Sequence, residues 1–131
     1  MKKIITLLCV CLLCLTFSLK ANAENYQYVG AEADGRVYWD RDSAYYASSE
    51  SKYYFDMILI REAKGVVILY KSFYVKNSDR LNEYAGRLLR CDSDPSLVRN
   101  EDEPNEQSWP LGKNPILVTL VNQVVAYCDS K

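Results

Sequence analysis

The residue types that usually carry catalysis are incomplete in this sequence, because the chain contains no histidine. Histidine is the usual general base near neutral pH, and it completes serine–histidine and cysteine–histidine nucleophilic sites. Zinc would have to be bound by carboxylates together with Cys91 and Cys128, which are better explained as a disulfide pair. We therefore expect no catalytic residue, no cofactor and no metal, and we interpret the protein as a non-enzyme.

Two Asp-x-Asp pairs could contribute carboxylates to a calcium site. The first is Asp40 with Asp42, and the second is Asp92 with Asp94. Neither pair has the further spaced ligands or the central glycine of a calcium-binding loop. We interpret both as solvated loops, and an enzyme that uses Asp40 and Asp42 is the least favoured alternative.

An acidic stretch follows the second pair. Its carboxylates could contact a basic partner, but a solvated acidic loop is the favoured interpretation; they are Glu101, Asp102, Glu103 and Glu106. A contact with a basic partner is therefore the minor alternative, with no residue singled out.

Tyrosine is frequent, with eleven residues in the chain. Tyrosine is enriched in recognition surfaces because it buries a large area at low entropic cost and keeps a polar hydroxyl. It is also a favoured strand residue, which explains most of these positions. Tyr45 and Tyr46 fall in a Ser-, Asp- and Ala-rich stretch predicted to be a loop, so they are the candidate exposed contact residues.

The N-terminus is typical of a secretory signal peptide. Lys2 and Lys3 precede an apolar run over residues 4–19, and Ala21-Asn22-Ala23 supplies a small-x-small cleavage site. A membrane anchor is the alternative, but the apolar run is short for a span of about 20 residues. Lipidation is disfavoured, because each candidate cysteine follows a large residue; the cysteines are Cys9, Cys11 and Cys14.

Cleavage after Ala23 divides the chain into a signal peptide, 1–23, and one exported domain, 24–131, of 108 residues. Three of the sixteen basic residues leave with the signal, so thirteen remain against seventeen acidic ones, a net charge of −4. An acidic domain has no electrostatic reason to bind nucleic acid, and no stable membrane anchor is expected. The expected location is the periplasm, the cell surface or the extracellular medium.

Two cysteines remain in the exported domain, Cys91 and Cys128. An even count in an oxidising compartment predicts a disulfide, and two cysteines allow one intramolecular pairing. Closing a loop of this length would stabilise the fold by roughly 4 kcal/mol in the chain-entropy model.

Alternating and β-branched segments predict strands over most of the domain. Residues 26–29 and 37–39 flank an Asp34-Gly35 turn signal and form a predicted hairpin. Residues 53–62 and 66–76 predict two long antiparallel strands with apolar side chains on both faces. Strands of this kind belong in the middle of a sheet, with something packed on each side. Which face is buried stays open.

Two segments after the central hairpin are harder to assign. Residues 80–91 fit a helix or a strand, because Leu81, Tyr84, Ala85 and Leu88 have helical spacing whereas Gly86 disfavours a helix. The acidic, proline-containing stretch that follows is predicted to be a loop, with at most a short strand at Leu97-Val98. Trp109 is expected to anchor this loop to the core.

The C-terminal segment predicts a helix on one face of the sheet. Asn114 is a favoured N-cap and Pro115 suits the first helical position. The apolar residues recur with helical periodicity at Leu117, Leu120, Val121, Val124, Val125 and Cys128. Cys128 is therefore expected to face the sheet.

The sequence resembles the surface-adhesin protein E family of secreted bacterial proteins. The resemblance lies in "YVGAEADGRVYWDRDS", in "LLRCD" and in "SWPLGKNPILVTLVNQVVAYC". It implies an α+β fold, in which a curved antiparallel sheet of about five or six strands carries a C-terminal helix tied to one face by a disulfide. It also favours a strand around Cys91. After Cys91 the acidic stretch departs from the regular strand of that family.

Two function classes follow from these features. The first is a secreted, non-enzymatic binding protein, adhesin-like, whose partner by resemblance is a host matrix or plasma protein. The second is a small periplasmic module that binds a ligand or assists envelope assembly, since a sheet closed by a helix can hold an apolar cavity. The sequence leaves the oligomeric state open.

Overall fold

The computed structural model describes residues 25–33 and 35–131, which form six strands followed by one helix. The predicted signal peptide and Asp34 of the predicted first turn lie outside the described residues. The elements are β1 (Tyr26–Glu32), β2 (Gly35–Ala47), β3 (Lys52–Arg61), β4 (Val66–Val75), β5 (Arg80–Cys91), β6 (Glu103–Pro110) and α1 (Pro115–Asp129).

The strands form a single antiparallel meander in which each strand pairs with its neighbours in sequence. The predicted α+β class, an antiparallel sheet with a C-terminal helix, is confirmed. Register shifts interrupt every pairing except β3 with β4. Bulges of this kind bend strands and increase their twist.

The central strands are apolar on both sides and lie in the middle of the sheet, as predicted. On one face, here called the helix face, Trp39 and Phe55 are buried in a cluster with Leu120 and Val124 of α1. On the opposite, open face, Ile58, Val67 and Leu69 form a second buried cluster. The expectation of a layer on each side is only half met, because the open-face cluster is covered by strand side chains alone among the described residues.

Helix α1 follows the predicted bounds and caps. The side chain of Asn114 accepts hydrogen bonds from the backbone N–H groups of Ile116 (3.1 Å) and Leu117 (3.2 Å), and Pro115 opens the helix. Its apolar stripe packs mainly on β1, β2 and β3. Within the described residues, no helix is both long and apolar enough to cross a membrane.

Polar contacts fix the helix to the sheet along its length. The indole N–H of Trp39 donates to Gln123 (2.8 Å), and the hydroxyl of Tyr53 donates to Asp129 (2.9 Å). Burial and this bond to Asp129 raise the pKa of Tyr53 to about 12. At the C-terminus, the ammonium of Lys131 donates to the carbonyl of Ala44 (2.9 Å).

The prediction of a loop after residue 40 is wrong in part, because β2 continues to Ala47. A bulge between Asp40 and Tyr45 interrupts the register without ending the strand. Ser43 bridges this bulge: its hydroxyl donates to the carbonyl of Asp40 (2.6 Å) and accepts from the backbone N–H of Asp56 (2.8 Å). Serine is common in loops, but the hydroxyl of Ser43 here joins β2 to β3 through hydrogen bonds.

The ambiguous segment 80–91 is strand β5, paired on both sides. Gly86, which argued against a helix, lies directly beneath the ring of Tyr70. A Cβ atom at this position would stand 3.2 Å from the carbonyl oxygen of Leu69 and 3.5 Å from the Tyr70 ring. The absence of a side chain at Gly86 therefore allows β4 and β5 to approach closely.

The segment after Cys91 contains a 3-10 turn at Pro95–Leu97, capped by Asp94, where a short strand at Leu97-Val98 was considered. The sixth strand begins later, at Glu103, inside the stretch predicted to be a loop. Trp109 lies on this strand and is 44% exposed, so it is not the buried anchor that was expected.

The two cysteines are free thiols in this structure. Cys91 pairs with Val66 at the end of β5, beside the β3–β4 turn. Cys128 faces the sheet as predicted, and its helical turn lies at Tyr53, near the opposite end of β3. A disulfide requires Cα atoms within about 7 Å, so a Cys91–Cys128 bond would require these ends to move together. The bond stays a prediction.

The Asn114 cap gives a direct test of helix stability. Asn114→Ala removes the acceptor of two backbone N–H groups and should lower the free energy of unfolding by about 1 kcal/mol. The measurement is urea denaturation followed by circular dichroism. Asn122→Ala makes the same change at an exposed interior position of α1 and should alter stability by less than about 0.7 kcal/mol. Equal losses in both variants would contradict the capping role.

Candidate functional site

A row of aromatic side chains crosses the open face on four adjacent strands. The ring centroids of Tyr45 and Tyr54 are 5.2 Å apart with nearly parallel planes. Phe73 follows at 5.8 Å from Tyr54, and Tyr84 at 6.1 Å from Phe73. The antiparallel register explains this order, because Tyr45 faces Tyr54 and Tyr54 faces Phe73 across the strands. We call these four residues the aromatic row.

The two ends of the aromatic row are open to solvent. Tyr45 is 55% exposed and Tyr84 is 39% exposed. Cross-strand aromatic pairs stabilise a sheet by themselves, which accounts for the stacking. This stabilisation does not require the rings of Tyr45 and Tyr84 to be exposed to solvent. The ammonium of Lys52 lies 4.5 Å from the centroid of the Phe73 ring, so the row already holds one cation.

The two predicted contact residues separate onto opposite faces, since they are consecutive on a strand. Tyr45 joins the aromatic row, whereas Tyr46 turns to the helix face, 4.5 Å from the ring of Tyr53. Lys76 lies 5.7 Å from the Tyr46 ring centroid. Tyr45 is the more exposed of the pair and belongs to the candidate site.

Charged side chains beside the aromatic row compensate one another. Lys71 lies 3.2 Å from Asp56 and 4.0 Å from Asp102, and Arg87 lies 3.3 Å from Asp102. Asp102 therefore brings the acidic stretch against the open face. These groups are partly shielded from solvent, and their pairing leaves little net charge next to the rings.

The Asp-x-Asp pairs are used in local structure. Asp40 accepts a bond from the backbone N–H of Asp42 (3.0 Å), and Asp42 accepts one from Asn25 (2.5 Å). Asp92 accepts two bonds from the guanidinium of Arg90, and Asp94 caps the following turn.

The pKa values of the two pairs follow these contacts. Partial burial raises the pKa of Asp40, and the bond from Arg90 lowers the pKa of Asp92. Across residues 25–33 and 35–131 no group of three or more Cys, Asp or Glu side chains is placed to hold a metal ion.

Glu83 is a buried carboxylate that sequence reasoning missed. It is 5% exposed on the helix face of β5, and one oxygen accepts a bond from the indole N–H of Trp109 (3.1 Å). The other oxygen has no hydrogen-bond partner among the described residues. Burial raises the pKa of this carboxyl, and the bond from Trp109 opposes the shift only in part. In the sequence, Glu83 is a charged residue in a segment that fits either a helix or a strand, so its burial could not be predicted.

Two surface cavities flank β6. One, of about 340 Å³, lies at the β5–β6 junction beside Phe73, Asn82, Tyr84, Glu106 and Ser108. The other, of about 560 Å³, lies between Trp109 and the start of α1, where Lys113 and Leu117 form part of its wall. The first is continuous with the aromatic row through Phe73 and Tyr84.

Comparisons with protein-family models, with curated proteins and with solved structures found no match. The resemblance to the surface-adhesin protein E family therefore rests on the sequence features given above. The open face and the cavities beside it are the structural features that bear on function.

Glu83→Gln should change the pH dependence of stability. Because the folded-state pKa is raised, protonated Glu83 supports the fold below the unfolded pKa of about 4.3, and this support is lost as pH rises through the folded pKa. The glutamine variant lacks this loss, so relative to the unmodified protein it should gain stability between pH 4 and pH 8.

Urea denaturation at the two pH values measures this difference. Glu106→Gln, an exposed position on the neighbouring strand, is the matched control and should show little relative gain. A gain of the same size in Glu106→Gln would contradict the role of burial at Glu83.

Proposed function

We propose that this protein is an exported, non-enzymatic binding protein that contacts another protein through the open face. The observation that carries the proposal is the aromatic row, whose end members Tyr45 and Tyr84 are exposed on a face that α1 does not cover. Tyrosine is a favoured interface residue, because it combines a large apolar area with few rotatable bonds.

A protein partner suits this surface better than a strongly charged polymer. The ion pairs around Lys71 and Asp102 neutralise most of the charge beside the rings. Nucleic acid binding would require an excess of positive charge, and the exported domain is predicted to carry −4. Protein interfaces combine apolar and aromatic contacts with polar groups, and the open face offers the aromatic row beside these ion pairs.

Two parts of this proposal, export and the class of partner, rest on the sequence. The signal-peptide pattern supports export to the periplasm, the cell surface or the medium, and the resemblance supports adhesion to a host matrix or plasma protein. The disulfide between Cys91 and Cys128 belongs to the same proposal, since export supplies the oxidising compartment. The bonds of Gln123 to Trp39 and of Asp129 to Tyr53 hold α1 against the sheet while both thiols are free.

A small-ligand or assembly module is the second candidate, and the cavity beside Trp109 favours it. This cavity has about 560 Å³, within the range of small-molecule sites, and Trp109 and Leu117 give it apolar walls. Mass spectrometry of the purified protein under native conditions would detect a retained small molecule or lipid.

Tyr45→Ala and Tyr84→Ala test the main proposal. Each change removes one exposed ring and should weaken binding to a matrix or plasma protein about tenfold, since truncating an interface tyrosine commonly costs more than 1 kcal/mol. Surface plasmon resonance against a panel of such proteins gives the affinities. Val118→Ala removes an exposed apolar side chain from α1 and should leave binding unchanged. A panel with no binding to the folded protein would overturn the partner class.

The disulfide can be tested independently of any partner. The exported protein should weigh about two mass units less than its reduced form and should contain no titratable thiol after denaturation, if Cys91 and Cys128 pair. Cys128→Ser should then lower the stability of the exported protein to denaturant about as much as reduction lowers that of the unmodified protein. Two free thiols in protein isolated from outside the cytoplasm would exclude the bond.

A further inference from the structure

The cavity at the β5–β6 junction combines aromatic walls with a carboxylate that forms no ion pair within residues 25–33 and 35–131. Phe73 and Tyr84 provide the walls, and Glu106 lies opposite Tyr84 on β6. A bulge produces this placement: Glu83 pairs with Gln107 and Ala85 with Pro104, so Tyr84 alone faces Asn105 and Glu106. Bulges commonly redirect side chains in this way.

The acidic stretch divides into paired and unpaired members. Asp102 is paired with Lys71 and Arg87, and Glu103 with Arg99. Glu101 and Glu106 form no ion pair with the described residues, and of these two only Glu106 borders the cavity. The side chain at position 106 is therefore the free negative charge beside the aromatic rings.

Glu83 lies on the same strand as Tyr84, but its carboxylate is on the helix face. It is 5% exposed and accepts a hydrogen bond from Trp109, which lies on that face as well. Glu106 is therefore the carboxylate that the open face presents to an incoming cation at this cavity.

The cations near the cavity are already engaged. Lys52 lies over the Phe73 ring and 4.0 Å from Glu50, and the guanidinium of Arg80 donates to the hydroxyl (2.7 Å) and carbonyl (3.1 Å) of Ser108. Lys52 shows that the aromatic row attracts a cation, and it stands at one side of the cavity. Neither cation forms an ion pair with Glu106 in the described residues, although the bonds of Arg80 to the neutral Ser108 leave its positive charge uncompensated.

We propose that this cavity, which we call the β5–β6 cleft, binds an arginine side chain of the protein partner. A guanidinium can stack on an aromatic ring and at the same time form a bidentate pair with a carboxylate, here Tyr84 and Glu106. The amide oxygen of Asn82 is a further acceptor, and its side chain makes no other hydrogen bond in the described residues. The inference rests on the proposed function, since the arginine belongs to the partner.

The guanidinium geometry distinguishes arginine from other cations. Lysine carries a compact, strongly hydrated charge and cannot form the planar bidentate pair. Citrulline keeps the planar shape of arginine but has no charge. The expected order of affinity is therefore arginine, then lysine, with citrulline not binding measurably.

The test is a titration of the folded, isotope-labelled protein with N-acetyl-arginine amide, followed by NMR shifts of Asn82, Tyr84 and Glu106. The lysine and citrulline amides are the matched ligands. Arginine should give saturable shifts with a dissociation constant in the millimolar range, as expected for one side chain of a larger interface. Equal shifts from arginine and citrulline, or none from arginine, would overturn the proposal.

Three charge-removing variants separate the cleft from general electrostatics. Glu106→Gln should weaken arginine binding about fivefold, whereas Glu101→Gln, with the same charge change outside the cleft, should not. Lys52→Gln should strengthen binding about twofold, because it removes a competing cation from Phe73. Equal losses in Glu106→Gln and Glu101→Gln would show nonspecific attraction and exclude the cleft.

Failure of this inference can be told apart from failure of the proposed function. If Tyr45→Ala weakens binding of a whole protein partner while Glu106→Gln leaves it unchanged, the open face is the contact surface and the cleft is not an arginine site. If arginine binds the cleft but no protein partner depends on Tyr45 or Tyr84, the cleft stands and the wider interface is wrong.

Discussion

The central strands of the sheet are apolar on both sides, but the one described helix can cover only one of them. Helix α1 covers the helix face, where Trp39 and Phe55 are buried beneath Leu120 and Val124. No described helix is left for the other side, so Ile58 and Leu69 must be shielded by strand side chains. Burial of apolar surface stabilises a fold by about 25 cal/mol per Å², and leaving such residues bare would forgo that gain. The composition of the open face follows from this constraint.

Tyrosines and long charged side chains provide that shielding. Tyr26 and Tyr38 pack against the open-face cluster, while Lys71 and Arg87 extend over the sheet to reach carboxylates. A ring that shields an apolar neighbour with one part keeps its hydroxyl and outer edge in water. The same residues that complete the fold therefore form a surface suited to recognition. Most substitutions on this face would therefore affect both stability and binding. Tyr45 and Tyr84, at the exposed ends of the aromatic row, are the positions where a substitution should affect binding with the least effect on stability.

Local patterns predicted what local patterns can determine. The Asn114-Pro115 cap and the apolar stripe of α1 were sufficient to place the helix, and the long β-branched runs placed β3 and β4. The continuation of β2 was missed because Ser43 acts through Asp56, a residue on another strand. Likewise Gln123, outside the apolar stripe, bonds to Trp39 across 84 positions of sequence. The candidate site shows the same limit: an abundance of tyrosine and an acidic stretch were visible, but the pairing that exposes Tyr45, buries Glu83 and isolates Glu106 is a property of strand register.

The meander order has a consequence for how the chain assembles. Every strand pairs with its sequence neighbour, so the sheet can grow by successive hairpins, and loops closed by such local contacts form quickly. Among the described elements, α1 links the end of the meander back to its beginning, through its contacts with β1 and β2. The closing step must await the last residues, including Lys131, which reaches back to Ala44. Until then Trp39 and its neighbours are uncovered, and a nascent or truncated chain in this state would be a natural substrate for chaperones that bind exposed apolar sheets.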